Sequence, residues 1–513
     1  MDITDKARID NGLYLYIISA CVLISVWSVF ADPIVNIDGI LYIKSAAALA
    51  RGDLDAALEL HKWPFYSYLI SIIHLVSGLG LEISAHILNC LLNILSCIGF
   101  VFLISELGAA KRTLFIAVLV IVLFPGLNEL RSYIIRDHGY IAFYIWSLYF
   151  LIRALHVRSK PLLGLSLLSM AIAALFRIEG MVFLIAMPII YLNSRQHVVP
   201  MNRLTFNLLV FVTVIILLSV FGWWLYSPSQ QADYSLHSVE NISQGWNQAI
   251  AYLDKKINIL KEHILDTSSD TTGRLVYLWT VGGIIFTQVL ITLSIPYSYL
   301  SGYGLVRNLV FPEKHSVKPW KLFVYFNLII LAVFTLTKFF LTDRYPLALA
   351  ITLLAIVPFA LEHVCSRWQA KPRNTFKSNL GYILVAIILL ANIFEGLTSM
   401  SDKHYMKDSG HWLSENLDEN ASLYTNDLVI GFYSEKADEL LFVELDRAKL
   451  IRSFYRGEWI HFDYLALQVS PDIEFQGHLE KTLWVEPEKV FMNERGREVR
   501  IYNIKKYRER ADQ

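Results

Sequence analysis

Apolar runs recur along this chain at a spacing that leaves little room for any fold outside a membrane. Eleven of them, at 13–31, 83–106, 113–126, 139–155, 161–176, 180–193, 205–226, 275–297, 321–338, 345–362 and 379–396, read as helices crossing a hydrocarbon core of about 30 Å. The composition agrees. With 55% hydrophobic residues, 18% charged and a mean hydropathy of +0.45 over 513 residues, there is more apolar surface than a soluble core can bury. Lys6 and Arg8 precede the first run, and Ala31-Asp32-Pro33 follows it. The run is long enough to span, so it reads as a retained first helix and not as a cleaved signal. A further run at 64–80, interrupted by His74 and Ser77, reads as an interfacial helix.

The basic residues set the orientation. They fall in alternate loops: Lys111 and Arg112, then Arg153, Arg158 and Lys160, then Arg195 and Arg203, then Arg307, Lys314 and Lys318, then Arg367, Lys371, Arg373 and Lys377. The N-terminus is therefore cytoplasmic, and an odd number of crossings puts everything after about residue 396 outside. Lys+Arg and Asp+Glu balance at 45 each, which excludes the basic field of a nucleic-acid-binding chain. Cys21, Cys90, Cys97 and Cys365 lie in or beside apolar segments and offer neither a disulfide framework nor zinc spacing.

Three outer segments are large: 32–63, 227–274 and 397–513. In the last, a helix-like stretch at 409–417, a strand-like one at 422–425 and a hairpin pattern (489–492, a turn at Arg495-Gly496, then 499–504) predict a small α/β domain. The expected fold is an all-α polytopic membrane bundle of about eleven transmembrane helices over 1–396, with a soluble extracytoplasmic α/β domain over 397–513.

Ionisable residues crowd the outer boundaries of this bundle. The first outer loop carries Asp32 and Asp38, followed by Gly39 and Tyr42. A carboxylate a few residues beyond the first membrane exit can meet a lipid-borne phosphate and a water-borne hydroxyl together, or be an ordinary solvated interface residue. The next outer turn holds Glu129, Arg131, Arg136, Asp137 and His138. There Arg136 suits phosphate recognition through its planar fork with Asp137 holding it in place, or the two form a salt bridge that anchors a helix end. A third turn, Arg177-Ile178-Glu179-Gly180, and a fourth, running from Lys338 through Asp343-Arg344-Tyr345-Pro346, again pair cation with carboxylate near the outer face. His86, Asn89 and Asn93 line one face of the 83–106 helix, a spacing that usually glues helices together.

Four of these pieces, taken in order, resemble the C-type glycosyltransferase superfamily, in its branch of protein mannosyltransferases, aminoarabinose lipid A transferases and related bacterial proteins. They are Asp38-Gly39 with Tyr42 and 46–52, Pro64-Phe65-Tyr66 leading to Gly78, Arg177-Ile178-Glu179-Gly180, and Arg344-Tyr345-Pro346. The stretch 412–433, with Leu423-Tyr424-Thr425-Asn426-Asp427, is similar to the outer domain that many of these proteins carry. The resemblance implies transfer of a sugar from a polyprenyl-phosphate donor to a glycan, lipid or protein acceptor outside the cytoplasm, in a bacterial inner membrane. It maps the catalytic base onto Asp38. The mannosyltransferases follow that Asp with Glu where this chain has Gly39, which speaks against protein O-mannosylation. Arg136, Asp137, Arg177, Glu179, Lys338 and Arg344 are the candidates for handling the donor phosphate. No cofactor is implied. Asp32 with Asp38 leaves a divalent metal open, but no cage of several carboxylates occurs in the first loop, so metal-independent displacement is the expectation. Two rival readings remain: a polymerase or ligase of lipid-linked glycans, and a transporter or flippase, whose ionisable residues should instead lie at mid-membrane.

Overall fold

The computed structural model describes residues 11–194, 254–262, 270–307, 309, 311–369, 387, 390–391, 403–418, 420–436, 440–442, 456–469, 483 and 486–511. The described chain is mostly helical, with one small sheet, and divides into two compact units. Unit 1 comprises Met1–Val26, Ser45–Arg131 and Ile135–Thr398, and unit 2 comprises Trp27–Lys44, Ser132–Ile134 and Ser399–Gln513.

The helices of the first half are α1 (Asn11–Ala31), α2 (Ile37–Ala50), α3 (Leu54–Leu60), α4 (Phe65–Ser77), α5 (Leu81–Glu106), α6 (Lys111–Val122), α7 (Pro125–Asn128), α8 (Asp137–Val157), α9 (Lys160–Phe176) and α10 (Glu179–Ser194). Then follow α11 (Asp270–Leu293), α12 (Ile295–Val306), α13 (Lys314–Lys338), α14 (Leu347–Leu354) and α15 (Val357–Gln369). Among the described residues, six helical stretches are long and apolar enough to cross a membrane: α1, α5, α8, α11, α13, and α14 running on into α15. The expected crossings at 113–126, 161–176 and 180–193 are helices of 12, 17 and 16 residues. Those at 205–226 and 379–396 lie outside the described residues, apart from 387 and 390–391. The run expected as one helix over 275–297 is two. Ser294 takes a positive φ of 67° and Pro296 opens the next helix, since proline has no N–H to continue the first. Helix α4 has 13 residues and ends on Gly78 in the left-handed conformation that glycine adopts without strain.

Unit 1 is held by polar contacts between apolar helices. Asn89 of α5 accepts a hydrogen bond from the Tyr66 hydroxyl of α4 at 2.6 Å, and Asn93 meets His138 of α8 at 3.4 Å. The polar face expected to glue helices does so. Ser147 of α8 and Ser166 of α9 each donate to the other's backbone carbonyl, at 2.8 and 2.7 Å. Arg131, only 1% exposed, donates to Asn128 at 2.7 Å and to Ser25 of α1 at 3.0 Å, so its burial is covered by acceptors.

Unit 2 contains helices α16 (His404–Asn416), α17 (Leu428–Tyr433) and α18 (Ile504–Ala511). Its sheet is built from β1 (Leu423–Thr425), β2 (Leu440–Phe442), β3 (Tyr464–Val469), β4 (Lys489–Met492) and β5 (Glu498–Asn503), in the order β2-β1-β3-β5-β4. Strand β1 runs parallel to β2 and β3, while β3–β5 and β4–β5 are antiparallel, with Leu465 opposite Tyr502. The expected hairpin is β4–β5, turned at Gly496 with φ +74°. Tyr424, Trp459, Leu465, Leu467, Val469 and Tyr502 form its core.

Candidate active site

In unit 1, the turn between α9 and α10 is two residues long, Arg177 and Ile178. Two glycines permit so tight a return. A Cβ on Gly180 would meet the Ala174 backbone at 2.7 Å, and one on Gly139 would run into the Phe176 ring. The start of α8, the end of α9 and the start of α10 therefore converge, bringing Asp137, Arg177 and Glu179 together.

Arg177 is 6% exposed and ties the three helix ends. Its Nη1 donates to Asp137, and its Nη2 and Nε donate to the two carboxylate oxygens of Glu179 at 2.5 and 3.3 Å. The guanidinium lies between two rings, 5.7 Å from the Tyr140 centroid and 5.0 Å from that of Tyr345. Tyr345 stacks on Phe334 of α13 at 4.2 Å. The segment that carries it is fixed by backbone carbonyls: Gln288 donates to Leu341 at 2.5 Å and Thr292 to Asp343 at 3.0 Å.

A cleft opens here, and its walls include Tyr140, Arg177, Glu179, Asn327, Phe334, Arg344 and Tyr345. Arg344, half-buried, places its guanidinium 5.7 Å over the Tyr345 ring. Arg136 is half-buried beside Asp137, and its charge acts on Glu179. The expected partnership of Arg136 with Asp137 gives way to Arg177 with Asp137. Arg136 takes the position just before α8, whereas Arg177 reaches Asp137 from the facing turn. Lys338 is exposed at the end of α13, is absent from the cleft wall, and accepts on its backbone carbonyl from Lys256 at 3.1 Å. Tyr140, Tyr345 as an aromatic wall, and Asn327 carry no mark in the sequence that sets them apart as cleft residues. The period of α13 alone does not distinguish Asn327 from a lipid-facing position.

In unit 2, Asp38 sits in the first turn of α2, half-buried, and Asp32 is 8% exposed. Gly39 is enclosed: a Cβ there would meet Asn36 Oδ1 at 2.7 Å, and Ile134 Cβ and Val35 Cγ1 at 3.0 Å. Asn36 Oδ1 is itself held by the Ile134 N–H at 2.8 Å. A side chain after Asp38 would press on this packing, which is a physical reason for a glycine at position 39. Among the described residues, no three His, Cys, Asp or Glu side chains gather to hold a metal.

Similarity to known proteins appears at the level of structure. No protein-family model matches the sequence, and no curated protein does. Among solved structures, ArnT from Cupriavidus metallidurans bound to undecaprenyl phosphate matches with a TM-score of 0.55 and 12% identity, over 96% of this chain and 98% of that one. The archaeal oligosaccharyltransferase AglB from Archaeoglobus fulgidus, in complex with an inhibitory peptide and a dolichol-phosphate, matches at 0.52 and 12%, over 88% and 69%. The arabinofuranosyltransferase AftD from Mycobacteria matches at 0.52 and 14%, over 97% of this chain and 42% of that one. These are C-type glycosyltransferases, and the chain has their fold. At such identities the likeness is one of architecture.

Proposed function

We propose that this chain is a membrane glycosyltransferase that moves a sugar from a polyprenyl-phosphate-linked donor to an acceptor outside the cytoplasm. The observation that carries the reading is the near end-to-end structural match to a transferase solved with undecaprenyl phosphate, combined with an arginine-lined cleft in unit 1. On this reading the membrane part crosses about eleven times, and residues 397–513 form an extracytoplasmic domain. A nucleotide sugar is confined to the cytosol, so chemistry on the outer face requires a donor delivered by lipid.

In a direct displacement, Asp38 accepts the proton of the acceptor hydroxyl as that oxygen forms its bond to the anomeric carbon. The bond from that carbon to the phosphate oxygen breaks, its electron pair leaves with the polyprenyl phosphate, and the anomeric centre inverts. Arg344 supplies positive charge to the leaving phosphate. Arg177 plays a different part, because its fork is engaged by Asp137 and Glu179. It fixes the wall of the cleft. The oligosaccharyltransferase match keeps a second reading, transfer of a longer lipid-linked glycan, within the same chemistry.

The test is to incubate the purified protein in lipid with a panel of polyprenyl-phosphate monosaccharides and follow donor consumption. One member of the panel is expected to be consumed, and Asp38→Asn should lower its turnover by about 10²- to 10⁴-fold. A lipid-linked oligosaccharide is offered in parallel, and its consumption alone selects the second reading. No consumption of either donor overturns the proposal.

A further inference from the structure

The segment that carries Asp38 belongs to the same compact unit as the C-terminal sheet, and its backbone is hydrogen-bonded there. The Tyr433 hydroxyl, at the end of α17, accepts from the Val35 N–H at 3.1 Å and donates to the Pro33 carbonyl at 3.2 Å. Lys407 of α16 donates to that same carbonyl at 2.9 Å, and its ammonium lies 4.7 Å from the Tyr433 ring centroid. Tyr433 is held in turn. A Cβ on Gly410 would meet its Cβ at 2.5 Å, and the His411 ring packs on it at 5.3 Å. Val35 is 1% exposed and Tyr433 6%, so losing the hydroxyl leaves a buried N–H without its acceptor. Beyond the clamp, Asn36 is fastened to the Ile134 N–H and Asp38 opens α2.

We propose that Tyr433 and Lys407 are positioning residues: they fix Pro33–Asn36 and so hold the Asp38 carboxylate at its working place. This rests on the reading of Asp38 as the base. It gives the C-terminal region a role in catalysis that requires no contact with donor or acceptor.

The experiment combines hydrogen exchange with steady-state transfer on the full-length protein in lipid. Tyr433→Phe removes the hydroxyl and keeps the ring, and Lys407→Met removes the second donor to Pro33. Each should raise amide exchange in 34–38 about tenfold. Exchange in β1 and β3 should stay as in wild type, and the melting temperature should fall by no more than about 2–4 °C. Turnover should fall roughly 10- to 100-fold with the KM for donor unchanged, because the base is displaced and the phosphate site is not. Unchanged exchange in 34–38 overturns the clamp. Faster exchange there with wild-type turnover overturns the positioning role, as does exchange that rises throughout unit 2 in both variants. If the wild-type protein consumes no donor, the functional reading fails, and the exchange arm alone decides whether Tyr433 and Lys407 hold this segment.

Discussion

A glycine next to a carboxylate shows how a single residue can carry the history of a site. Gly39 sits where a Cβ would press on Asn36 Oδ1, and Asn36 cannot swing aside without releasing the Ile134 N–H. Gly39→Ala should therefore lower stability by about 1–3 kcal/mol, as overpacking does, and lower turnover through the adjoining Asp38. Thermal unfolding of the purified variant checks the first effect, and equal melting to wild type would contradict the packing account. The two arginines of the cleft should separate in the same kind of measurement. Arg177→Ala strands two carboxylates and should cost on the order of 3–5 kcal/mol of stability. Arg344→Ala should leave melting near wild type and raise the donor KM about tenfold or more, with Arg344→Lys intermediate because it keeps the charge and loses the fork. At this scale much of the cleft was legible in the sequence, since Arg177, Glu179 and Arg344 stand at short turns between apolar runs. The pairing of Asp137 with Arg177 was not, because it joins residues 40 apart across a turn whose closeness depends on Gly139 and Gly180.

Among the elements, helix α17 joins sequence to stability through the residue just before it. Asp427 caps it, accepting from the Val429 N–H at 2.8 Å, yet burial pushes its carboxyl above the usual range against the backbone hydrogen bonds that favour the charge. A raised folded value means that the folded state binds the proton more tightly, so this group opposes folding at neutral pH and ceases to do so as the pH falls through that value. Asp427→Asn keeps a good cap without the buried charge. It should melt higher than wild type at pH 7, and the gap should close on acidification toward the ordinary carboxylate value of about 4. Asp463 runs the other way. Burial resists its ionisation, but the Ser422 N–H and hydroxyl, with Lys505 and Arg508, outweigh that and hold it low, so its contribution is present above the ordinary value and lost below it. Melting profiles of Asp427→Asn and Asp463→Asn against pH should thus converge on wild type from opposite sides. The β4–β5 hairpin was readable because local alternation and a Gly turn encode it. The break at Ser294 was not, because a periodic apolar run conceals a positive φ.

For the whole molecule, the alternation of basic loops predicts which residues face out. A cysteine placed at the exposed Glu494 should react with an impermeant thiol reagent in intact cells, while one at the exposed Lys160 should not. The reverse labelling would put Asp38 on the face that has no need of a lipid-borne donor. What no local pattern disclosed is that unit 2 is assembled from three stretches, Trp27–Lys44, Ser132–Ile134 and Ser399–Gln513. Val35 and Tyr433 are 398 positions apart. That interval has a consequence in time. At about 5–20 residues per second, the segment 27–44 emerges from the ribosome on the order of tens of seconds before the tyrosine that completes it. Until then the Val35 N–H waits without its acceptor and the Pro33 carbonyl without its donors, so the nascent protein passes through a long interval in which a chaperone or a protease can reach the segment that its finished form encloses.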